Sequence, residues 1–167
     1  WPFVLILWNR FGKNGKNGIM ACLDADCRVD SNYLETISGL YGQGGFTSGH
    51  LYFEHPLEGQ EAGIRAGIIN YELGLRYYVQ ALKLIQYPFA YHTIGSCIIT
   101  SAKTYALSGG MNRKKAGEDF YFLHKLFPLG GHKEINSSCV YPSPRISTRV
   151  PFGTGRAMGK WMDLVNA

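Results

Sequence analysis

Unbroken apolar runs alternate along the chain with longer stretches in which apolar residues return every three or four positions. "WPFVLILW" (Trp1–Trp8) and "IMACL" (Ile19–Leu23) have the continuous apolar character of strands buried on both faces. The Gly/Asn-rich "GKNGKNG" (Gly12–Gly18) between them reads as an exposed loop. Asp30 or Ser31 can cap a helix carrying Leu34, Ile37 and Tyr41, which stops at the Gly42–Gly45 cluster. From Gln60 to Gln86, Ile64, Ile68, Leu75, Val79, Leu82 and Ile85 keep the helical period of about 3.6 residues, and Pro88 ends the run. Gly63, Gly67 and Gly74 on this helix each cost about 1 kcal/mol of propensity, which predicts a second element packed tightly against bare backbone.

Further on, "IGSCIIT" (Ile94–Thr100) predicts a second buried strand, followed by a helix capped by Ser101 and stopped at Gly109-Gly110. "AGEDFYFLHKLFPLGG" sets Glu118 and Asp119 at the start of an aromatic-rich helix ending near Gly130. A last strand is expected over Ile135–Tyr141. Pro142, Pro144, a basic loop and a terminal helix with Met158, Trp161 and Leu164 complete the chain. Strands alternating with helices predict an α/β fold, a layered mixed β-sheet flanked by helices, as a single domain over residues 1–167.

Composition narrows the partners. With 167 residues, 46% of them hydrophobic and 17% charged, the chain can close a sizeable core. A net charge of +5 favours anionic partners such as nucleotide phosphates, nucleic acid or acidic lipid headgroups, and no block of like charge chooses among them. Cys22, Cys27, Cys97 and Cys139 show no C-x-x-C spacing, so neither a zinc site nor a disulfide framework is signalled, and reduced thiols of a cytoplasmic protein are expected. The Trp1–Trp8 run is far short of the about 20 residues that span a bilayer, and the charges at Glu61, Arg65, Glu72, Arg76 and Lys83 exclude a span in the long helix.

Three places carry candidate chemistry. Asp24 and Asp26 follow the second apolar run. Residues two apart on a strand share a face, so both carboxylates can converge on one ligand while Ala25 faces the packing side. Two such carboxylates repel unless a cation lies between them, and a hard divalent ion, Mn²⁺ or Mg²⁺, meets that need while bridging to phosphate. The plain alternative is a solvated turn. In "GEDFYF", Glu118 and Asp119 suit a helix N-terminus through its dipole alone. In "PSPRISTRVPFGTGRA", Arg145, Arg149 and Arg156 flank two glycines and could hold phosphate, or simply form a surface loop and a helix start.

Taken together, "LDADCRVDSNYL", "IGSCIITSAKTYALSGGMN" and "AGEDFYFLHKL" resemble, in order, the D-x-D segment, the strand and helix before the acceptor region, and the E-D motif of bacterial glycosyltransferase family 2. The resemblance covers about Gly18 to Leu126. It implies a GT-A-like fold and a metal-dependent, inverting transfer of a sugar from a nucleotide-sugar donor to a glycan or lipid-linked acceptor, in cell-envelope polysaccharide synthesis. Carried over, Asp26 and Asp24 would hold the metal and the donor, with Arg145, Arg149 and Arg156 assisting the diphosphate. Asp119 would be the general base, Glu118 would orient donor or acceptor, and Gly95 and Ser96 would border the acceptor cleft. The family's upstream nucleotide-binding half has only "WPFVLILWNRFGKNGKNG" in its place, so an N-terminally incomplete catalytic domain is expected. His132, in "LGGHKE", reads as a turn residue, with a second reading as the family's further metal ligand. His50, His55, His92 and His124 read as surface or core residues, and "YFEHPLEG" (Tyr52–Gly59) as a Pro turn or a loop over the acceptor.

The resemblance implies a cytoplasmic location, at the inner face of the membrane where the acceptor is lipid-linked. It leaves room for peripheral membrane contact and for a homodimer, and gives no role to nucleic acid. A haloacid-dehalogenase-like phosphatase also uses D-x-D at a strand end, but Arg28 stands where that class wants Thr or Val. The non-enzymatic alternative is a truncated binding or oligomerising domain derived from a glycosyltransferase.

Overall fold

The computed structural model describes residues 3–8, 18–40, 45–111, 117–148, 151 and 153–165. The side chains of residues 3–8 are outside the description. The fold is mixed α/β. By packing, the chain divides into two compact units: Trp1–Phe53 with Thr93–Val140, and Glu54–His92 with Tyr141–Ala167.

The first unit is built on a six-stranded sheet. Its strands are β1 (Phe3–Trp8), β2 (Gly18–Leu23), β3 (Arg28–Val29), β4 (Ser48–Phe53), β5 (Ile98–Ser101) and β6 (His132–Tyr141), in the spatial order β1-β2-β5-β4-β6-β3. β1 and β2 pair antiparallel, Phe3 opposite Leu23, and β5 lies antiparallel to both β2 and β4. β4 and β6 run parallel, with a register shift after Leu51 that leaves extra residues on β6.

The helices of this unit are α1 (Tyr33–Leu40), α3 (Ala102–Leu107) and α4 (Glu118–Leu126). α1 buries Tyr33, Ile37 and Leu40, and α4 buries Phe122, Leu123 and Leu126. These spacings of three and four residues set one apolar stripe per helix against the core. Ser101 caps α3 as expected, its hydroxyl accepting the Thr104 N–H at 3.0 Å.

Two sequence expectations are corrected here. β4 was not anticipated, and Tyr52 and Phe53 of the supposed turn belong to it. β4 is buried along nearly its whole length, so Ser48, Gly49 and His50 sit inside, where an apolar pattern would be the usual signal. Gly49 is there for closeness: a Cβ would meet Ile135 Cδ1 at 2.6 Å and the Lys133 carbonyl at 2.7 Å. β6 begins at His132, not Ile135, because His132 is held in the ladder opposite Ser48. The Asp30 carboxylate accepts the Cys139 N–H at 2.8 Å and so joins the β3 end to β6.

The second unit contains α2 (Ala62–Leu84) and α5 (Thr154–Val165). Gly63 and Gly67 let α5 approach as expected: a Cβ on Gly67 would meet Trp161 Cδ1 at 2.5 Å and Met158 Cε at 2.6 Å. The Trp161 indole N–H donates to the Gly63 carbonyl at 2.9 Å. Gly74 has nothing within 4 Å and takes no part in that packing.

His55, Glu72, Arg76 and Thr154 form a network within this unit. Glu72 Oε1 accepts from the His55 backbone N–H at 2.5 Å and pairs with Nδ1 at 2.8 Å, while Oε2 accepts from Arg76 at 2.9 Å. Against its own burial, which favours the neutral acid, these bonds hold the Glu72 carboxyl below its usual range. His55 Nε2 meets Thr154 Oγ1 at 3.1 Å, and its side chain is 1% exposed. Both ring nitrogens are taken, so the imidazole ties α2 to the start of α5.

A candidate acidic active site

The buried, apolar β2 delivers the chain to a tight turn. Ala21 and Cys22 are buried, and the strand ends at Leu23. Asp24 then opens a four-residue turn that closes when its carbonyl accepts the Cys27 N–H at 3.1 Å. Asp at the first position is favoured in such turns, and the turn, not strand alternation, brings Asp24 and Asp26 together. One ligand atom each from Asp24, Asp26 and Cys27 lie within 4.8 Å of one another. Asp24 is half-buried and Asp26 exposed.

Cys27 was not singled out in the sequence, although a donor three residues after Asp24 is what a turn of this kind brings round. Its thiol hydrogen-bonds Ser96; burial, first, and the charges of Asp24 and Asp26 push it up from the ordinary thiol range despite that bond. It is therefore a thiol at neutral pH and a poor partner for a hard cation. The donors that fit Mg²⁺ or Mn²⁺ are the two carboxylates, which leave positions open for water and phosphate.

Asp119, in the first turn of α4, belongs to the same neighbourhood. Burial, then the charge of Glu118, then that of Asp24, push its carboxyl up to about 7. One of its oxygens, Oδ1, is buried with no hydrogen-bond partner among the described residues. The carboxyl lies directly over Gly95: a Cβ there would meet Asp119 Cγ at 2.5 Å. Gly95 opens the 3₁₀ turn Gly95–Cys97 that leads into β5. Cys22, beneath the site, is pushed up to about 12 by burial and by the charges of Asp119 and Asp24. Asp24 and Asp119 thus sense one another directly and through a common neighbour.

The remaining candidates are placed as follows. Glu118 precedes Asp119 on α4, where Gly117 at φ 75° starts the helix. Ser96 is 3% exposed, so its side chain supports the turn at Cys27 and presents no surface to a cleft. Arg145 is exposed after β6, and Arg156 lies in the first turn of α5, both in the second unit; Arg149 lies outside the described residues.

His132 is not placed as a ligand. Its Nδ1 meets Ser48 Oγ at 2.8 Å and its Nε2 meets His50 Nδ1 at 3.1 Å, so both ring nitrogens are engaged inside the sheet. Burial and the neighbouring His50 push it down to about 3, which keeps it neutral.

Comparisons with protein-family models, with curated proteins and with solved structures find no match to this chain. Among the described residues no helix is long and apolar enough to cross a membrane.

Proposed function

We propose that the first unit carries the catalytic acids of an inverting, metal-dependent glycosyltransferase of the GT-A type, acting on a nucleotide-sugar donor and a hydroxyl acceptor. The observation that carries the reading is Asp119: a carboxyl pushed up to about 7, seated on bare Gly95 backbone and within charge range of the Asp24 turn. A base of that strength is half ionised near neutrality, where removal of an alcohol proton in the transition state is most effective.

In this reading an acceptor hydroxyl lies against the half-buried Asp119 carboxyl. As its oxygen bonds the anomeric carbon, its proton passes to Asp119. The bond from that carbon to the diphosphate breaks on the opposite side, and the electron pair leaves with the nucleotide. Asp24 and Asp26 are the residues that would hold Mg²⁺ or Mn²⁺, which when bound neutralises the departing diphosphate. Glu118 acts on Asp119 by charge, raising its basicity.

The test is thermal-shift titration of the chain with UDP-, GDP- and dTDP-sugars, with and without Mn²⁺, followed by transfer assays. One donor should raise Tm only when Mn²⁺ is present, by about 5–10 °C at a hundredfold excess over Kd. Asp26→Ala should lose that shift, whereas Asp119→Asn should keep it and lose transfer. Absence of any metal-dependent shift, or equal loss of binding in both variants, overturns the reading.

A further inference from the structure

The "GTG" stretch (Gly153–Gly155) sets one hydroxyl at the start of α5, and the second unit aims a base and a carboxylate at it. Thr154 Oγ1 lies 3.1 Å from His55 Nε2, and His55 Nδ1 lies 2.8 Å from Glu72 Oε1. A hydroxyl, an imidazole and a carboxylate, each within hydrogen-bond reach of the next, is the arrangement that activates an alcohol as a nucleophile.

Chemistry fixes where the protons sit. Against its own burial, His55 and Arg76 hold the Glu72 carboxyl below its usual range, so it is ionised and only accepts. In the neutral ring Nδ1 therefore carries the proton and Nε2 is the acceptor, to which the Thr154 hydroxyl donates. Tyr71 also hydrogen-bonds Thr154; burial pushes its phenol up, so it stays protonated and donates to Oγ1. A mere tie between α2 and α5 needs no such polarity, since a ring N–H on a backbone carbonyl would serve as well.

The surroundings suit attack on a carbonyl. Thr154 is half-buried and the His55 side chain is buried behind it, so a substrate meets the hydroxyl first. Among the described residues, a Cβ on Gly153 would meet nothing within 4 Å, which leaves room beside Thr154. On the other side Gly155 must be bare, because a Cβ there would meet Ser147 Cβ at 2.5 Å. The Ala157 N–H bonds the Gly153 carbonyl at 3.0 Å, so Gly155 and Arg156 supply first-turn N–H groups of the kind an oxyanion needs.

We infer that Thr154 is the nucleophile of an acyl-transfer site in the second unit, with His55 as its base and Glu72 as the positioning residue, acting on small esters. The Thr154 oxygen bonds the carbonyl carbon as its proton passes to His55 Nε2. The bond from that carbon to the leaving alcohol then breaks, and the alcohol takes the electron pair and the proton from His55. Water attacks the acyl-threonine by the same route and frees the acid. The inference stands on the second unit alone and does not depend on the transferase reading.

The experiment treats the full chain with a fluorophosphonate, which an activated hydroxyl takes up with loss of fluoride, and separately with p-nitrophenyl acetate, and locates the adducts by peptide mass spectrometry. Wild type should carry the phosphonyl group on Thr154 and release nitrophenol. Thr154→Val should lose both, and Thr154→Ser should keep both. Glu72→Gln should slow labelling of Thr154 about 10³–10⁴-fold, because the ring is then held in the wrong tautomer. Urea denaturation shows whether that variant is folded, and the position of the wild-type adduct decides the matter without any variant. Absence of an adduct on Thr154, nitrophenol release that survives Thr154→Val, or a folded Glu72→Gln that labels at the wild-type rate each overturns the inference in favour of a purely structural network.

Discussion

Asp119→Asn should make the protein more stable above neutral pH while removing its proposed base. The unfolded carboxyl titrates near 3.8 and the folded one at about 7. Below about pH 4 both states hold the proton and the group adds no pH dependence. Between about 4 and 7 the folded state keeps a proton that the unfolded chain has lost, so stability falls as pH rises, by about 1.36 kcal/mol per pH unit. Above 7 the loss is complete, at about 4 kcal/mol. Asparagine cannot ionise and escapes it, but its buried amide carries a desolvation cost of about 1–3 kcal/mol. The net gain above pH 7 is then about 2 kcal/mol, or about 4–8 °C in Tm for a chain of this size. Thermal denaturation of both proteins followed by circular dichroism from pH 4.5 to 8.5 measures it. The difference in Tm should open with rising pH and level off past 7. A difference that stays constant across the range, or a wild-type carboxyl that titrates near 4 by carbon NMR, refutes the argument.

Asp24→Asn should lower the Asp119 pKa, because it removes one of the two charges that raise it, and the midpoint of that pH-dependent gap should move to lower pH. Gly95→Ala puts a methyl group where the Asp119 carboxyl lies; displacement of the acid should cost about 1–3 kcal/mol in urea denaturation and abolish transfer. His132→Gln should flatten the acid limb of the stability curve. Between about pH 6.5 and 3 the unfolded imidazole binds a proton that the folded one refuses, so wild-type stability falls with acidification by about 1.36 kcal/mol per unit, and urea midpoints of the variant should lack that slope.

Where burial followed a helical or continuous apolar pattern, the elements could be read directly: β2, α2, α3, α4 and α5 lie within a few residues of expectation. β4 and the first half of β6 could not. Their key positions are the buried Ser48, Gly49 and His50 and the half-buried His132, polar or bare residues whose needs are met by one another and by a backbone approach that only the assembled sheet supplies. Asp30 belongs to the same class, since its partner on Cys139 is 109 residues away. The acidic site was legible in its residues but not in its physics. Asp24 and Asp26 meet through a turn, and the opposing pulls on Asp119, helix dipole against neighbouring carboxylates, are decided by burial, which leads the causes of its shift. No local pattern measures that burial.

The place of β4 in the sheet has a consequence for synthesis. Its ladder partners, β5 and β6, lie far downstream; the bond between Ser48 and His132 spans 84 residues. A nascent chain can close the β1–β2 hairpin early, because that pairing is local. β4 leaves the ribosome as an unpaired strand, meets β5 only when residues beyond 101 emerge and β6 only beyond 132, a delay of several seconds at ordinary translation rates. Mutations that slow β5 or β6 should therefore show first as loss of yield through aggregation of the waiting strand, before any change in the stability of the finished protein.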